Sequence, residues 1–189
     1  MFSSRSLEEA LKTLGEVLDD QNQHAELAVI GGGSLLLSQL LERPTKDLDV
    51  VALVIAGQYR RAQPFPDFLA AAVRDVAAAM GLAPDWLNPG PTDLLDFGLP
   101  LGFDKRATVR QFGGLTLHVA SREDQICFKL YASVDQGPQS KHTSDLKKLG
   151  PSPEELRWAA EWCRTQDPSD GFAQQLELTL RALGGSDGR

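Results

Sequence analysis

Residues 28–54 constrain the fold of this chain more than any other stretch, because the sequence AVIGGGSLLLSQLLERPTKDLDVVALV combines two strand patterns with a helix pattern. The apolar run 27–30 predicts a short strand covered on both faces. Three consecutive glycines at 31–33 predict a turn, and residues 34–41 predict a short apolar helix. A second apolar strand is predicted over 47–55. Strand, helix and strand in this order are typical of an α/β core.

Two aspartates stand at the start of the second predicted strand. Asp47 and Asp49 are two residues apart, so in a strand both carboxylates point to the same side. Two neighbouring carboxylates repel each other unless a cation lies between them. Hard oxygen ligands suit Mg²⁺, which makes a magnesium site the functional interpretation. The alternative is a solvated strand end with two unremarkable acids.

The glycines upstream have two interpretations as well. At the start of a helix, glycines allow backbone N–H groups to approach a ligand closely, and phosphate is the natural ligand there. The alternative is a tight connection from strand to helix, which needs one glycine rather than three. A phosphate site followed by a metal-binding strand is typical of phosphoryl or nucleotidyl transfer.

These motifs carry a resemblance to a known superfamily. The pattern Gly31-Gly32-x-Ser34, followed by a helix and by Asp47-x-Asp49, resembles the nucleotidyltransferase (polymerase-β-like) superfamily. The finer pattern, with Arg43-x-Thr45 before the aspartates, resembles the AbiEii-like toxin nucleotidyltransferases and their uncharacterised bacterial relatives. Further residues continue this resemblance, which covers roughly residues 25–150: Trp86-Leu87-Asn88, Asp124-x-x-x-x-Lys129-x-x-Ala132, Asp145 and Leu149.

The resemblance implies a fold and a site. The expected fold is an α/β (α+β) mixed sheet flanked by helices, with a helical C-terminal region. Asp47 and Asp49 would bind Mg²⁺ and, with Lys129 and Asp145, form the catalytic set. The nucleoside triphosphate would be bound by a larger group: Gly31, Gly32, Gly33, Ser34, Arg43, Thr45 and Lys129. The acceptor could be an RNA, and a toxin-like protein would have an antitoxin partner.

The residues alone give Lys129 and Asp145 other roles. Lys129 lies in an apolar helix pattern, where a lysine usually extends its ammonium group to water. Asp145 has Lys148 three residues later and Lys141 one turn earlier, which is a routine pattern for exposed helix pairs. The AbiEii-like proteins are expected to have an arginine and an acid between the positions of Ala132 and Asp145, and this sequence departs from that pattern.

A third carboxylate, which the wider superfamily usually carries on a later strand, is not evident. The clearest predicted hairpin, 106–112 and 115–120 around two glycines, contains no acid in its strands. Asp93, Asp96 and Asp104 lie in the loop-rich segment before it. Either one of these serves, or Asp145 replaces it, or catalysis has been lost.

The remaining sequence predicts mostly helices. An amphipathic helix is expected over 5–19, an alanine-rich one over 68–80, and others over 121–133, 141–149, 153–165 and 169–183. We therefore expect a nucleotidyltransferase-like core over 1–120 and a helical C-terminal region over 121–189, packed on that core.

Composition limits the class of protein. The formal net charge is −7 among 189 residues, which argues against a protein that coats nucleic acid. The apolar runs are too short to span a bilayer, no signal peptide is recognisable, and two cysteines without framework spacing predict no disulfide. We expect a cytoplasmic protein without membrane contact. Two hypotheses remain: a magnesium-dependent nucleotidyltransferase, or a catalytically degenerate module of the same fold that binds nucleotide or a protein partner.

Overall fold

The computed structural model describes residues 1–184, which form two compact units. The first unit contains residues 1–96 and 104–120, and the second contains residues 97–103 and the chain from 121 onward. The helices are α1 (Ser4–Asp20), α2 (Gly31–Leu37), α3 (Asp67–Met80), α4 (Phe103–Arg106), α5 (Arg122–Gln136), α6 (Lys141–Leu149), α7 (Pro153–Gln166) and α8 (Asp170–Ala182). The strands are β1 (Ala25–Ile30), β2 (Leu48–Ile55), β3 (Gln58–Arg60), β4 (Leu87–Asn88), β5 (Thr108–Phe112) and β6 (Leu115–Val119).

A mixed sheet organises the first unit. Its strands follow the order β3, β2, β1, β6, β5, and the two-residue strand β4 pairs with the start of β2. Strand β1 is antiparallel to β2 and parallel to β6. This mixed α/β architecture, with flanking helices and C-terminal helices, confirms the predicted fold class.

Helix α1 supplies one side of the core of the first unit. A capping box between Ser3 and Ser6 begins the helix. The four leucines of its predicted apolar face, Leu7, Leu11, Leu14 and Leu18, are all fully buried. They belong to one hydrophobic cluster with residues of α3 and of the sheet, so the sequence periodicity predicted the buried face correctly.

Helix α2 differs from its predicted bounds at both ends. It begins at Gly31, so the three glycines form its first turn rather than a preceding connection. It ends at Leu37, well before Pro44. The reason is a Schellman motif in which Gln39 has a φ of 56°, its amide binds Leu36, and the Leu40 amide binds the Leu35 carbonyl at 3.0 Å. Because glycine usually occupies this position, a glutamine there did not indicate the end of a helix.

The predicted loop 86–104 contains three short elements that the sequence did not indicate. They are β4, a 3₁₀ helix (Gly90–Leu95) and α4. The buried side chain of Thr92 accepts a hydrogen bond from the Ala62 amide at 2.7 Å, which fastens the 3₁₀ helix to the segment after β3. The segment is therefore ordered by contacts with residues that are distant in sequence.

Helix α5 is the central element of the second unit and packs against α6, α7 and α8. Two aromatic side chains of α5, Phe128 and Tyr131, contact the rings of Phe103, Trp162 and Phe172. The carbonyl of Gly98 accepts hydrogen bonds from Trp162 Nε1 at 3.0 Å and from Gln166 Nε2 at 2.8 Å. Both cysteines are buried, and no disulfide joins them. No helix within residues 1–184 is long and apolar enough to cross a membrane.

Candidate functional site

Asp49 lies on β2 between two neighbouring strands. Its partner in the register with β1 is Ile30, and its partner in the register with β4 is Asn88. The carboxylate is partly exposed, and its Oδ1 accepts a hydrogen bond from Asn88 Nδ2 at 3.1 Å. Pairing on both sides therefore holds this acid at the edge where β1 ends and α2 begins.

The three glycines allow α2 to approach this edge closely. Gly31 has a φ of 75°, and a Cβ on it would lie 2.2 Å from Asp49 Oδ2. A Cβ on Gly33 would lie 2.9 Å from the Asp47 carbonyl oxygen, and one on Gly32 would lie 3.0 Å from Thr45 Oγ1. Real Cβ atoms rarely approach other atoms this closely, so close packing accounts for all three glycines. The same packing brings the start of α2 to both aspartates.

Asp47 immediately precedes β2 rather than lying within it, which corrects the predicted start of this strand. Thr45 Oγ1 donates a hydrogen bond to the Asp47 carbonyl at 3.2 Å and lies 3.5 Å from its Oδ1. Thr45 is itself held by two backbone hydrogen bonds with Phe2. A cavity of about 280 Å³, which Lys46, Asp47 and Asp85 help to line, opens beside this turn.

The other predicted phosphate-binding residues differ in accessibility. Arg43 is partly exposed, and its Nη2 would lie 3.6 Å from a Cβ on Gly32, so a cation lies near the start of α2. Ser34 is fully buried, and its hydroxyl has no hydrogen-bond partner within residues 1–184. Burying a hydroxyl without a partner costs free energy. A ligand could satisfy it only by reaching below the surface.

The donor atoms at this edge fit magnesium. Mg²⁺ is usually held by one or two carboxylates, with substrate phosphates and waters as its other ligands. Asp47 and Asp49 supply two carboxylates, and Asp49 Oδ2 lies directly against Gly31 at the start of α2. In the described chain, no group of three or more His, Cys, Asp or Glu side chains could hold a metal ion. A metal here would thus depend on a phosphate ligand for part of its coordination.

Lys129 and Asp145 form a buried ion pair in the second unit. Lys129 Nζ lies 2.9 Å from Asp145 Oδ2, and the two side chains are 3% and 0% exposed. Both interpretations drawn from the residues alone were therefore wrong: the ammonium group does not reach water, and Asp145 is not an exposed helix acid. The structure brings these two predicted site residues together, and it places Asp47 and Asp49 together in the first unit.

Two of the three loop acids considered for a third carboxylate are already paired. Arg61 binds both Asp93 and Asp96. Hydrogen bonds to Asp96 and then to Asp93 raise the pKa of the Arg61 guanidinium. Asp104 is exposed on α4, and strands β5 and β6 carry no acid. Strands β6 and β5, which follow β1 in the sheet on the side away from β2, therefore supply no third carboxylate.

Sequence reasoning missed Asn88 as a residue of the site. It appeared only as part of the motif Trp86-Leu87-Asn88, without a role. Its contact with Asp49 depends on the pairing of β4 with β2. A two-residue strand has no periodicity that could reveal such a pairing, so only the motif itself could have drawn attention to Asn88.

Of the three comparisons with known proteins, the one with protein families found a match. The comparisons with curated proteins and with solved structures found no match. One family model, described as "Nucleotidyltransferase of unknown function (DUF6036)", matches residues 5–148. This range includes the strands, the glycines of α2, both aspartates of the β2 edge and the Lys129–Asp145 pair. The AbiEii-like part of the resemblance stays a prediction. The chain belongs to the DUF6036 family of nucleotidyltransferases of unknown function.

Proposed function

We propose that the protein transfers a nucleotidyl group from a magnesium-bound nucleoside triphosphate to an acceptor hydroxyl. The observation that carries this proposal is the contact between Gly31 and Asp49, where a Cβ would lie 2.2 Å from the carboxylate. This contact puts a partly exposed acid at the first residue of a helix, with Asp47 two residues away. Such an arrangement would bring metal and phosphate ligands together in one place.

The residues near the start of β2 and the start of α2 each have a role in this proposal. Asp47 and Asp49 would hold Mg²⁺, which would neutralise charge on the triphosphate when bound. The first amides of an α-helix have no carbonyl partner within the helix, so those at the start of α2 would be donors to the phosphates in this proposal. Arg43, whose guanidinium lies near Gly32, adds a positive charge for the phosphates.

The reaction itself is an in-line displacement. The acceptor oxygen forms a bond to the α-phosphorus, and the bond from that phosphorus to the bridging oxygen of the β-phosphate breaks. Pyrophosphate leaves, and the proton of the hydroxyl group passes to water. The cavity beside Asp47 would leave space for part of a substrate.

The acceptor is proposed from the resemblance. A toxin-like role with an antitoxin partner, and an RNA end as the acceptor, would follow from the similarity to the AbiEii-like proteins. The net charge of −7 argues against an RNA acceptor, and two arginines that could bind RNA phosphates are already paired with acids. Arg61 binds Asp93 and Asp96, and Arg110 binds Glu8 at 2.8 Å. A hydroxyl group of a small molecule or of a protein is therefore an alternative acceptor to RNA.

The test begins with binding. An equimolar mixture of the four ribonucleoside triphosphates should bind in the presence of Mg²⁺ and lose most of its affinity when EDTA is added. Asp49→Asn and Asp47→Asn should each weaken this binding at least tenfold. Asp75→Asn, which removes an exposed charge on α3, is the matched control and should bind as the wild type does.

Transfer is then measured directly. The protein is incubated with α-labelled triphosphates and either total RNA or a small-molecule extract. Label should appear in an acceptor with the wild type and with Asp75→Asn. Label transfer that persisted in Asp49→Asn would contradict the assigned metal ligand.

A second candidate is a non-catalytic module that binds nucleotide or a protein partner. The buried Lys129–Asp145 pair favours it, because a lysine engaged by an internal acid is not presented to a triphosphate. The absence of acids from β5 and β6 favours it as well. Magnesium-dependent binding without label transfer to any acceptor would support this candidate over the enzyme.

A further inference from the structure

We propose that Asn88 is a positioning residue, which orients the Asp49 carboxylate for the metal. This inference rests on the proposed function and adds a residue to its site. Asn88 and Asp49 are register partners on β4 and β2, and Asn88 Nδ2 donates to Asp49 Oδ1 at 3.1 Å. The other carboxylate oxygen lies against Gly31. The Asp49 carboxylate thus contacts β4 on one side and the first residue of α2 on the other.

The orientation of the Asn88 amide follows from its two contacts. Its Oδ1 accepts a hydrogen bond from the Gly90 amide at 2.9 Å. In the flipped orientation, two donors would face each other at Gly90, and two acceptors would face each other at Asp49. Asn88 Oδ1 therefore accepts the hydrogen bond from the Gly90 amide, and Nδ2 faces Asp49. Asn88 acts on the metal through Asp49 and is not itself a ligand in this arrangement.

The loop that carries Asn88 is fastened to the rest of the first unit. Thr92 accepts a hydrogen bond from the Ala62 amide, and Arg61 binds Asp93 and Asp96. A polar partner that fixes a metal ligand typically changes metal affinity by about 10- to 100-fold when it is removed. The anchored loop gives Asn88 the rigidity that such a role needs.

Two substitutions separate positioning from loop anchoring. Asn88→Ser keeps a short acceptor for the Gly90 amide, since serine can replace asparagine in this kind of turn, but its hydroxyl is too short to reach Asp49. Asn88→Ala loses both contacts. If Asn88 orients Asp49, both variants weaken Mg²⁺ binding alike, by roughly tenfold. If Asn88 only anchors the loop, Asn88→Ser behaves as the wild type does.

The measurement uses the full chain and Mg²⁺ alone in isothermal titration, followed by Mg²⁺ with the mixture of four triphosphates. Circular dichroism and thermal unfolding without metal confirm that each variant is folded. The same substitutions are made in an Asp49→Asn background, where positioning predicts that they cause no further loss of Mg²⁺ affinity. A purely structural effect would instead persist there at full size.

Three outcomes are decisive. Equal losses in Asn88→Ser and Asn88→Ala that vanish in the Asp49→Asn background support the inference. Wild-type binding of Mg²⁺ that neither variant changes overturns the inference and leaves the proposed function standing. No binding of Mg²⁺ by the wild type, with or without triphosphates, overturns both.

Discussion

Gly31 and Asp49 are in such close contact that a Cβ on the glycine would lie 2.2 Å from the carboxylate Oδ2 of the aspartate. The glycine is the first residue of α2, and the aspartate lies beside the last residue of β1 in the sheet register. One contact therefore joins the helix start to the acid on which the proposed metal site depends.

Gly31→Ala should displace Asp49 and weaken Mg²⁺-dependent triphosphate binding at least tenfold. The matched control is Gly57→Ala, because Gly57 has nearly the same φ, 73° against 75°, yet no atom lies within 4 Å of its Cβ position. Both variants carry the backbone strain of about 1 kcal/mol that alanine meets at positive φ. Titration of the two variants in parallel tests this prediction, and equal affinities would contradict it.

Gly15→Ala should destabilise the protein far more than an ordinary helix substitution does. Its Cβ would lie 1.6 Å from the Phe112 carbonyl oxygen, so α1 and the β5–β6 hairpin would have to separate. Overpacking of this kind typically costs about 1–3 kcal/mol or more. Gly171→Ala is the control, since α8 has open space there and alanine favours helices. Urea unfolding should show a lower midpoint for the first variant and an unchanged or higher one for the second.

The sequence predicted those features of the fold that depend on local pattern. The spacing of the four leucines of α1 indicates a buried face. Ser152, Pro153 and Glu155 are typical of a helix start, and a capping box between Ser152 and Glu155 begins α7. Both kinds of signal lie within a few residues of the element that they describe, so a single sequence reveals them.

Features that depend on distant contacts were not predictable in this way. Asn88 contacts Asp49 because β4 pairs with β2. Lys129 can be buried because its ammonium group forms an ion pair with Asp145 on the next helix. Gln39 ends α2 in a conformation that favours glycine. For Asn88 and Lys129 a partner elsewhere in the chain overrides the local preference, whereas Gln39 ends the helix through local hydrogen bonds that do not require its residue type. The glycines of α2 were noticed, but their close contacts with residues 45–49 could only be seen in the folded chain.

Cys163 should be chemically inert in the native protein. Burial raises the pKa of its thiol, so almost no thiolate exists at neutral pH. A thiol reagent such as 5,5′-dithiobis(2-nitrobenzoate) should modify it only as fast as the protein unfolds. Ala78→Cys places a thiol on an exposed position of α3 and should react immediately. Rapid reaction of the wild type at neutral pH would contradict this prediction.

Glu155 should contribute to the acid sensitivity of the second unit. A hydrogen bond from Arg122 and then one from the Ser152 backbone lower the pKa of this carboxyl below its ordinary value of 4.5. Because the folded pKa is the lower one, the stabilisation is present above the ordinary pKa. It is lost as the pH falls through the folded pKa.

The check for Glu155 is thermal unfolding at several pH values between about 6 and 3. Glu155→Gln should lower the midpoint temperature near neutral pH and flatten its decrease below about pH 4.5. Glu154→Gln, at the exposed neighbouring position, should leave both properties unchanged. An acid transition of the same steepness in Glu155→Gln and in the wild type would contradict the assignment.

Loss of one member of the Lys129–Asp145 pair should destabilise the protein more than loss of both members. Lys129→Met leaves the fully buried Asp145 without its cation partner, and such a loss typically costs about 3–5 kcal/mol. The double variant Lys129→Met with Asp145→Ala leaves neither of the two buried charges and should recover most of that stability, as measured by urea unfolding. The folded double variant then tests whether the resemblance assigns these residues to the site correctly. If Lys129 also contacts the triphosphate, the restored fold binds Mg²⁺ and triphosphates poorly; unchanged binding would make the pair a structural link between α5 and α6.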